Sequence, residues 1–257
     1  MTRLALPILL VLAFGMLNVH AYFNVTYLNT TVVLNQNGSA HVTEALNLFI
    51  SNSSIAQYQQ DKQAINFTLS NWQAALGTNL LVEHILNPKS SVYGFEFLPG
   101  PINYAIRNAS SVLTMSYYVN NITTISNIAP RKFQYAFNDS VFNFVHTATG
   151  QSLPPSARLN IVVPKGAQIV SIYPVPEYPN VAFVSNYTGA PLLSWYSQDP
   201  LSTFALTYIV SESPGAEVSS FFTHIYSNYN SLLLILLGAI IIAILVYLYI
   251  RVSNVKV

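Results

Sequence analysis

Residues 232–250 run for 19 positions without a charged side chain, from Leu232 to Ile250. As an α-helix such a run is about 28 Å long, close to the hydrocarbon thickness of a bilayer. Inside a bilayer the backbone must satisfy its own polar groups, so a helix is the expected form. Tyr226 and Tyr229 precede the run, and Tyr247 and Tyr249 lie near its end, where aromatic rings favour the interface. Arg251 and Lys256 follow, and positive residues favour the cytoplasmic side. The sequence therefore predicts a transmembrane helix over 232–250, a juxtamembrane linker over 213–230 and a cytoplasmic tail over 251–257. Ala239 and Ala243 form a small-xxx-small pair that leaves a homo-oligomer through this helix open.

The N-terminus carries a second apolar stretch. Arg3 supplies a positive start, Leu4 to Leu17 is apolar apart from Pro7 and Gly15, and Val19-His20-Ala21 suits a signal peptidase. Residues 1–21 read as a signal peptide, with Tyr22 as the first mature residue. An uncleaved anchor is the alternative, but a span needs about 20 residues and this stretch is shorter. Together the two segments predict one topology: plasma membrane, single pass, ectodomain outside, short tail inside.

Composition fits this reading. Charged residues are 7% and hydrophobic residues 52% of the 257. Soluble domains carry about 25% charge, so a freely soluble cytosolic enzyme is not expected. A disordered chain is charged and poor in apolar residues, which this one is not. The net charge of +1 leaves no electrostatic footprint for nucleic acid. Cysteine is absent, which removes disulfides, thiolate catalysis and cysteine-ligated metal centres.

Polar character comes from 24 Asn, 26 Ser and 16 Thr. Nine asparagines start an Asn-x-Ser/Thr sequon: Asn24, Asn29, Asn37, Asn52, Asn66, Asn108, Asn121, Asn138 and Asn186. Random placement would give about four, so the sequence predicts N-glycosylation at several of these sites. Asn24, Asn29, Asn52, Asn66, Asn108 and Asn186 are expected in or beside turns or element ends, and Asn138 near a strand end. Asn37 and Asn121 are expected at hairpin turns, which are tight for an acceptor.

Between the apolar segments the pattern is mainly β. Phe23 to Leu34 is rich in Val, Thr and Tyr, and Asn37-Gly38 signals a hairpin turn. Ala40, Val42, Leu46, Leu48 and Ile50 then alternate with more polar neighbours, as on a half-buried strand. Glu44 interrupts that apolar face and reads as a strand edge or a bulge rather than a functional carboxylate. Ser54 to Leu76 reads as a helical insertion broken near Asn66 to Thr68, with Ile55, Tyr58, Ile65, Leu69, Trp72 and Leu76 as its stripe and Gly77 as C-cap. It is expected to pack across one sheet. Alternation returns at Phe95/Phe97, Leu113 to Val119, Phe133/Tyr135/Phe137 and Val141 to Val145. After the connector Gln151-Ser152-Leu153-Pro154-Pro155 it resumes at Leu159/Ile161/Val163, Ile169 to Tyr173, Leu192 to Tyr196 and Phe204 to Val210. The fold class is thus mainly β: a β-sandwich-like ectodomain of one or two sheet pairs, with one helical segment near 54–76 and a C-terminal transmembrane helix. Its two β-rich parts are 22–150 and 156–212.

The run Asn35-Gln36-Asn37-Gly38-Ser39-Ala40-His41-Val42-Thr43-Glu44 resembles the first hairpin of a family of archaeal membrane-anchored surface proteins. Leu159 to Ala167, Ser171-Ile172-Tyr173-Pro174 and Leu193-Ser194-Trp195 are similar to later parts of the same family. The resemblance implies a β-sandwich-like ectodomain of unassigned function on a single span. Some members carry a cytoplasmic helix-turn-helix, for which the residues after Ile250 are too few.

No motif points to a reaction. The mature histidines His41, His84, His146 and His224 show no metal-ligand spacing, and no HExxH, G-x-S-x-G or glycine-rich phosphate loop occurs. Glu83 and His84 diverge on any regular element. No catalytic, cofactor-binding or metal residue is assigned, no cofactor is expected, and the chain is not read as an enzyme. The leading expectation is a cell-surface glycoprotein of an archaeal-type envelope that meets the membrane and other envelope proteins. The alternative is a membrane-anchored carbohydrate or solute binding module, which an exposed aromatic cluster or a deep polar cleft would favour.

Overall fold

The computed structural model describes residues 23–212 except 79, 149, 180–191 and 198, together with 240–242 and 244. The signal peptide over 1–21, the linker over 213–230, the tail over 251–257, most of 232–250 and the sequon at Asn186 lie outside the described residues. Ile240 to Ile242 and Ile244 are helical. Among the described residues no helix is long and apolar enough to cross a membrane.

The chain divides into two compact units, Met1–Ser126 with Gln134–Val210, and Asn127–Phe133 with Ser211–Val257. In the second unit Arg131 adopts a left-handed backbone, φ 62°, and its carbonyl accepts the Glu212 N–H at 2.9 Å.

The described residues are mainly β, with several sheets and few helices. The strands are β1 (Phe23–Leu34), β2 (Ala40–Ser51), β3 (Tyr93–Pro99), β4 (Asn103–Tyr104), β5 (Asn108–Val119), β6 (Thr123–Ala129), β7 (Lys132–Phe137), β8 (Val145–Thr147), β9 (Gly150–Ser152), β10 (Ala157–Val162), β11 (Gln168–Tyr173), β12 (Leu192–Tyr196) and β13 (Ala205–Ser211). The largest sheet runs β12-β10-β1-β2-β5-β3, with β4 also on β5. A second runs β11-β13-β7-β6, and β8 pairs with β9. β1 and β10 pair in parallel, Leu28 beside Ala157 through Val33 beside Val162, so residues on both sides of the Gln151–Pro155 connector share the large sheet.

The β1–β2 hairpin forms where its turn chemistry directs. Gly38 sits at φ +81°, which glycine adopts without a side-chain clash. A Cβ there would also lie 3.1 Å from the Thr123 carbonyl oxygen. One face of the large sheet is buried: Leu28 and Val32 on β1, Val42, Leu46 and Leu48 on β2, Leu113 and Met115 on β5, Leu159 and Ile161 on β10, Leu193 and Trp195 on β12. Each such side chain contributes about 1.5–3 kcal/mol when fully buried. The fully buried Trp195 keeps its indole N–H satisfied by the Pro174 carbonyl at 2.9 Å.

The helical insertion is two helices, α1 (Ile55–Gln63) and α2 (Leu69–Leu76). The break falls where the sequence places it, because Thr68 closes a capping box with Asn71 and starts α2 afresh. Gly77 ends α2 in the left-handed conformation. Tyr58 and Trp72 pack on Phe23 of β1, ring centroids 5.4 and 6.0 Å away, which lays both helices across one end of the sheet. Ile65 departs from the expected stripe: it lies in the break between the helices and is fully exposed. Val141 to Val145 also departs from expectation. A 3-10 turn at Asp139–Val141 and an isolated bridge between Ile85 and Phe142 replace most of the expected strand.

Candidate functional site

Glu44 overturns its sequence reading. It is neither at an edge nor in a bulge: β2 is paired along its length on both sides, with Thr30 of β1 and Met115 of β5 opposite Glu44. Alternation puts its side chain on the same face as Val42 and Leu46, and it is fully buried. A carboxylate there costs several kcal/mol unless hydrogen bonds replace its water. Three donors do so. The His84 backbone N–H reaches Oε1 at 2.8 Å, His84 Nδ1 reaches Oε2 at 2.5 Å, and the Tyr117 hydroxyl donates to Oε1. The Tyr117 hydroxyl in turn accepts the Ile85 N–H at 3.2 Å. Burial, and then the nearby Glu44 charge, holds the Tyr117 phenol far above its ordinary pKa.

The loop that supplies His84 is fixed from its other side. Asn143 N–H donates to the His84 carbonyl and Leu86 N–H to the Val141 carbonyl, each at 2.8 Å. The imidazole stacks on Phe144, centroids 4.8 Å apart. His84 also lines a cavity of about 230 Å³ with Thr78, Leu80, Val82, Asn143, Phe144 and Val145. The one hydroxyl on that lining, of Thr78, accepts the Leu80 N–H at 3.2 Å. The dyad orients an imidazole but faces no activated nucleophile among the described lining residues. Its chemistry is that of a polar pin joining the 84–86 loop to the two central strands. Among the described residues no group of three or more His, Cys, Asp or Glu side chains could hold a metal ion.

The solvent face of the large sheet carries an aromatic row. Tyr118 of β5 lies between Tyr93 of β3, stacked at 5.4 Å, and His41 of β2 at 4.7 Å. Tyr93 and Tyr118 are 45% and 39% exposed. Gly94 permits this approach, since a Cβ there would lie 3.1 Å from the Tyr118 ring. His41 Nε2 is 2.7 Å from Ser116 Oγ, which fixes the imidazole in the row.

Further along the same face lies a polar network that the sequence reading missed. Asn160 Nδ2 donates to Asn29 Oδ1 at 2.7 Å, and the Ser194 hydroxyl donates to Asn160 Oδ1 at 2.7 Å. Arg158 Nη2 donates to Ser194 Oγ at 3.1 Å, and the guanidinium lies 4.9 Å from the Tyr196 ring centre.

The sequon asparagines fall into distinct settings. Asn24, Asn37, Asn52, Asn66 and Asn121 are exposed, whereas Asn29, Asn108 and Asn138 are half-buried. Asn29 is a correction: it lies inside β1, paired with β2 and β10, not at a turn or element end. Asn37, Asn121 and Asn138 come together around one cleft of about 570 Å³ that Asn87 and Lys89 also line. Their sequence separations gave no sign of this. No protein-family model matches the chain, and no curated protein matches it in sequence.

Proposed function

We propose that this chain is a single-pass cell-surface glycoprotein of an archaeal-type envelope. In this reading a β-sandwich-like ectodomain is exported by residues 1–21 and held at the plasma membrane by 232–250, and it serves a structural or protein-interaction role toward other envelope proteins. The observation that carries the reading is the placement of the sequons: none of the eight within the described residues is buried, and five are exposed. A lightly charged surface has little electrostatic self-repulsion, and hydrated glycans offset that lack. The test is a chain ended before Leu232. Release of a glycosylated ectodomain into the medium supports the reading, and complete retention in the membrane fraction refutes the proposed anchor.

A second reading, a membrane-anchored carbohydrate binding module, draws on the row His41–Tyr118–Tyr93. The half-exposed Tyr93 and Tyr118 leave an apolar aromatic ridge on the sheet, against which the C–H groups of a sugar chain pack in this reading, and Ser116 and Asn120 stand beside it as polar partners. Retention of the ectodomain on a polysaccharide matrix, lost in Tyr118→Ala, would favour this reading over the first.

A further inference from the structure

We propose that Asn37, Asn121 and Asn138 carry one N-glycan cluster that fills the cleft between them. The proposal rests on the exported-glycoprotein reading and adds to it a specific set of sites. The three sequons are joined by the main chain. The Ile122 and Thr123 N–H groups donate to the Gly38 carbonyl, at 2.8 and 3.3 Å, and the Asn138 N–H donates to the Ile122 carbonyl at 3.0 Å. The middle residue of one acceptor tripeptide thus bonds to both others. Residues 84 and 101 positions away from Asn37 arrive at the same place.

Two of these sequons are held in a shape suited to the reaction. Asn37 Oδ1 accepts both the backbone N–H and the hydroxyl of Ser39, at 3.0 and 2.7 Å. Asn138 Oδ1 accepts the same two groups of Ser140, at 3.2 and 2.8 Å. In both, the sequon's own hydroxyl residue polarises the amide oxygen while Nδ2 stays free to react. Asn121 is exposed, at φ 53°. Asn87 supports it from below, donating from Nδ2 to the Asn120 and Asn121 carbonyls at 3.1 and 3.3 Å. Asn29 is the contrast. Its Oδ1 is taken by buried Asn160, which also donates to the sequon's Thr31 hydroxyl at 3.4 Å.

The co-reactant is a lipid-phosphate-linked oligosaccharide. Nδ2 forms a bond to the sugar C1, the bond from C1 to the phosphate oxygen breaks, and the lipid phosphate leaves with the electron pair. One Nδ2 proton passes to a base of the transferase, and nothing is oxidised or reduced. The cleft volume falls within the range of about 300–1,000 Å³ that holds small ligands, so it has room for the first sugars of converging chains.

The cluster also has a defined position in the first unit. Phe137 meets Phe204 at 5.4 Å and Tyr135 stacks on Tyr208 at 5.0 Å, so β7 and β13 run in opposite directions there. Asn138 follows Phe137, near the start of β13.

The experiment is glycopeptide mapping of the full-length protein from native membranes, paired with acylation of Lys89, an exposed amine on the cleft wall. Expected are sugar on Asn37, Asn121 and Asn138, a bare Asn29, and Lys89 reacting several-fold more slowly than in Asn37→Gln/Asn121→Gln/Asn138→Gln. The three single variants should give intermediate rates, which keeps the test open if the triple variant misfolds. Sugar on Asn24, Asn52 or Asn66 with the cleft sites empty overturns the cluster and leaves the glycoprotein reading standing. Empty sequons throughout overturn both. Occupied cleft sites with an unchanged Lys89 rate refute the filling of the cleft.

Discussion

Removing one oxygen atom from the core should cost this protein several degrees of thermal stability. Tyr117→Phe keeps the buried ring and its packing but deletes the hydroxyl that donates to Glu44 and accepts from Ile85. A hydrogen bond to a charged group is worth about 1.5–3 kcal/mol, and a buried N–H left without an acceptor costs about 1–3 kcal/mol. The mutant no longer buries a phenol hydroxyl, which offsets part of this, so the expected net loss is about 2–4 kcal/mol. At about 2–4 °C per kcal/mol for a unit of this size, Tm falls by about 4–16 °C. Both tryptophans, Trp72 and Trp195, are fully buried in the same unit, so their fluorescence reports the transition in detergent-solubilised protein. Tyr118→Phe is the control: it neighbours Tyr117 in sequence, points to the opposite face and is half-exposed, and it should change stability by less than about 0.5 kcal/mol. Equal melting of the two variants would refute the buried network as a source of stability.

Further outcomes follow from single buried groups. Burial raises the pKa of Tyr58, Tyr117 and Tyr208, so the folded state holds those protons more tightly than the unfolded chain. Their contribution is intact below the ordinary phenol value and declines above it. Each loses at most about 1.4 kcal/mol per pH unit from about pH 10 up to its own raised value, and phenolate absorbance from Tyr117 and Tyr208, the most strongly raised, should appear together with unfolding. Asp61 is buried and its carboxyl is likewise pushed up, chiefly by desolvation. Its raised value means stability present in acid and lost as pH rises, so Asp61→Asn should raise Tm at neutral pH and give no gain near pH 3. Thr30 is fully buried with a hydroxyl that makes no hydrogen bond, so Thr30→Val should stabilise by about 1 kcal/mol in a denaturant titration.

Local chemistry made some of the fold legible and non-local pairing hid the rest. The β1–β2 hairpin follows from Asn37-Gly38 and alternation, the break between the helices from the cap at Thr68, and the end of the second helix from Gly77. By contrast, Leu159 and Ile161 alternate as they would in any strand, and nothing near them announces a parallel partner in β1. Glu44 was placed on its face by alternation, yet its meaning depends on His84, 40 residues away, and on Tyr117, 73 residues away. Without those partners in view, a carboxylate on an apolar face reads as a boundary. Val141 to Val145 is apolar enough for a strand, but Asn138 caps a 3-10 turn through Ser140 and diverts the chain. The nine sequons were legible as motifs. Their division into a tied Asn29 and a converging trio depends on which turns the topology stacks at one end of the sheets.

In the proposed topology the ectodomain is exported and membrane-held, and protease treatment of intact cells reads that out. Peptides from 22–212 should be lost from intact cells, a C-terminal fragment containing Arg251 to Val257 should be protected, and the undigested protein should begin at Tyr22. A protein that begins at Met1 and resists protease until the cells are lysed would contradict it.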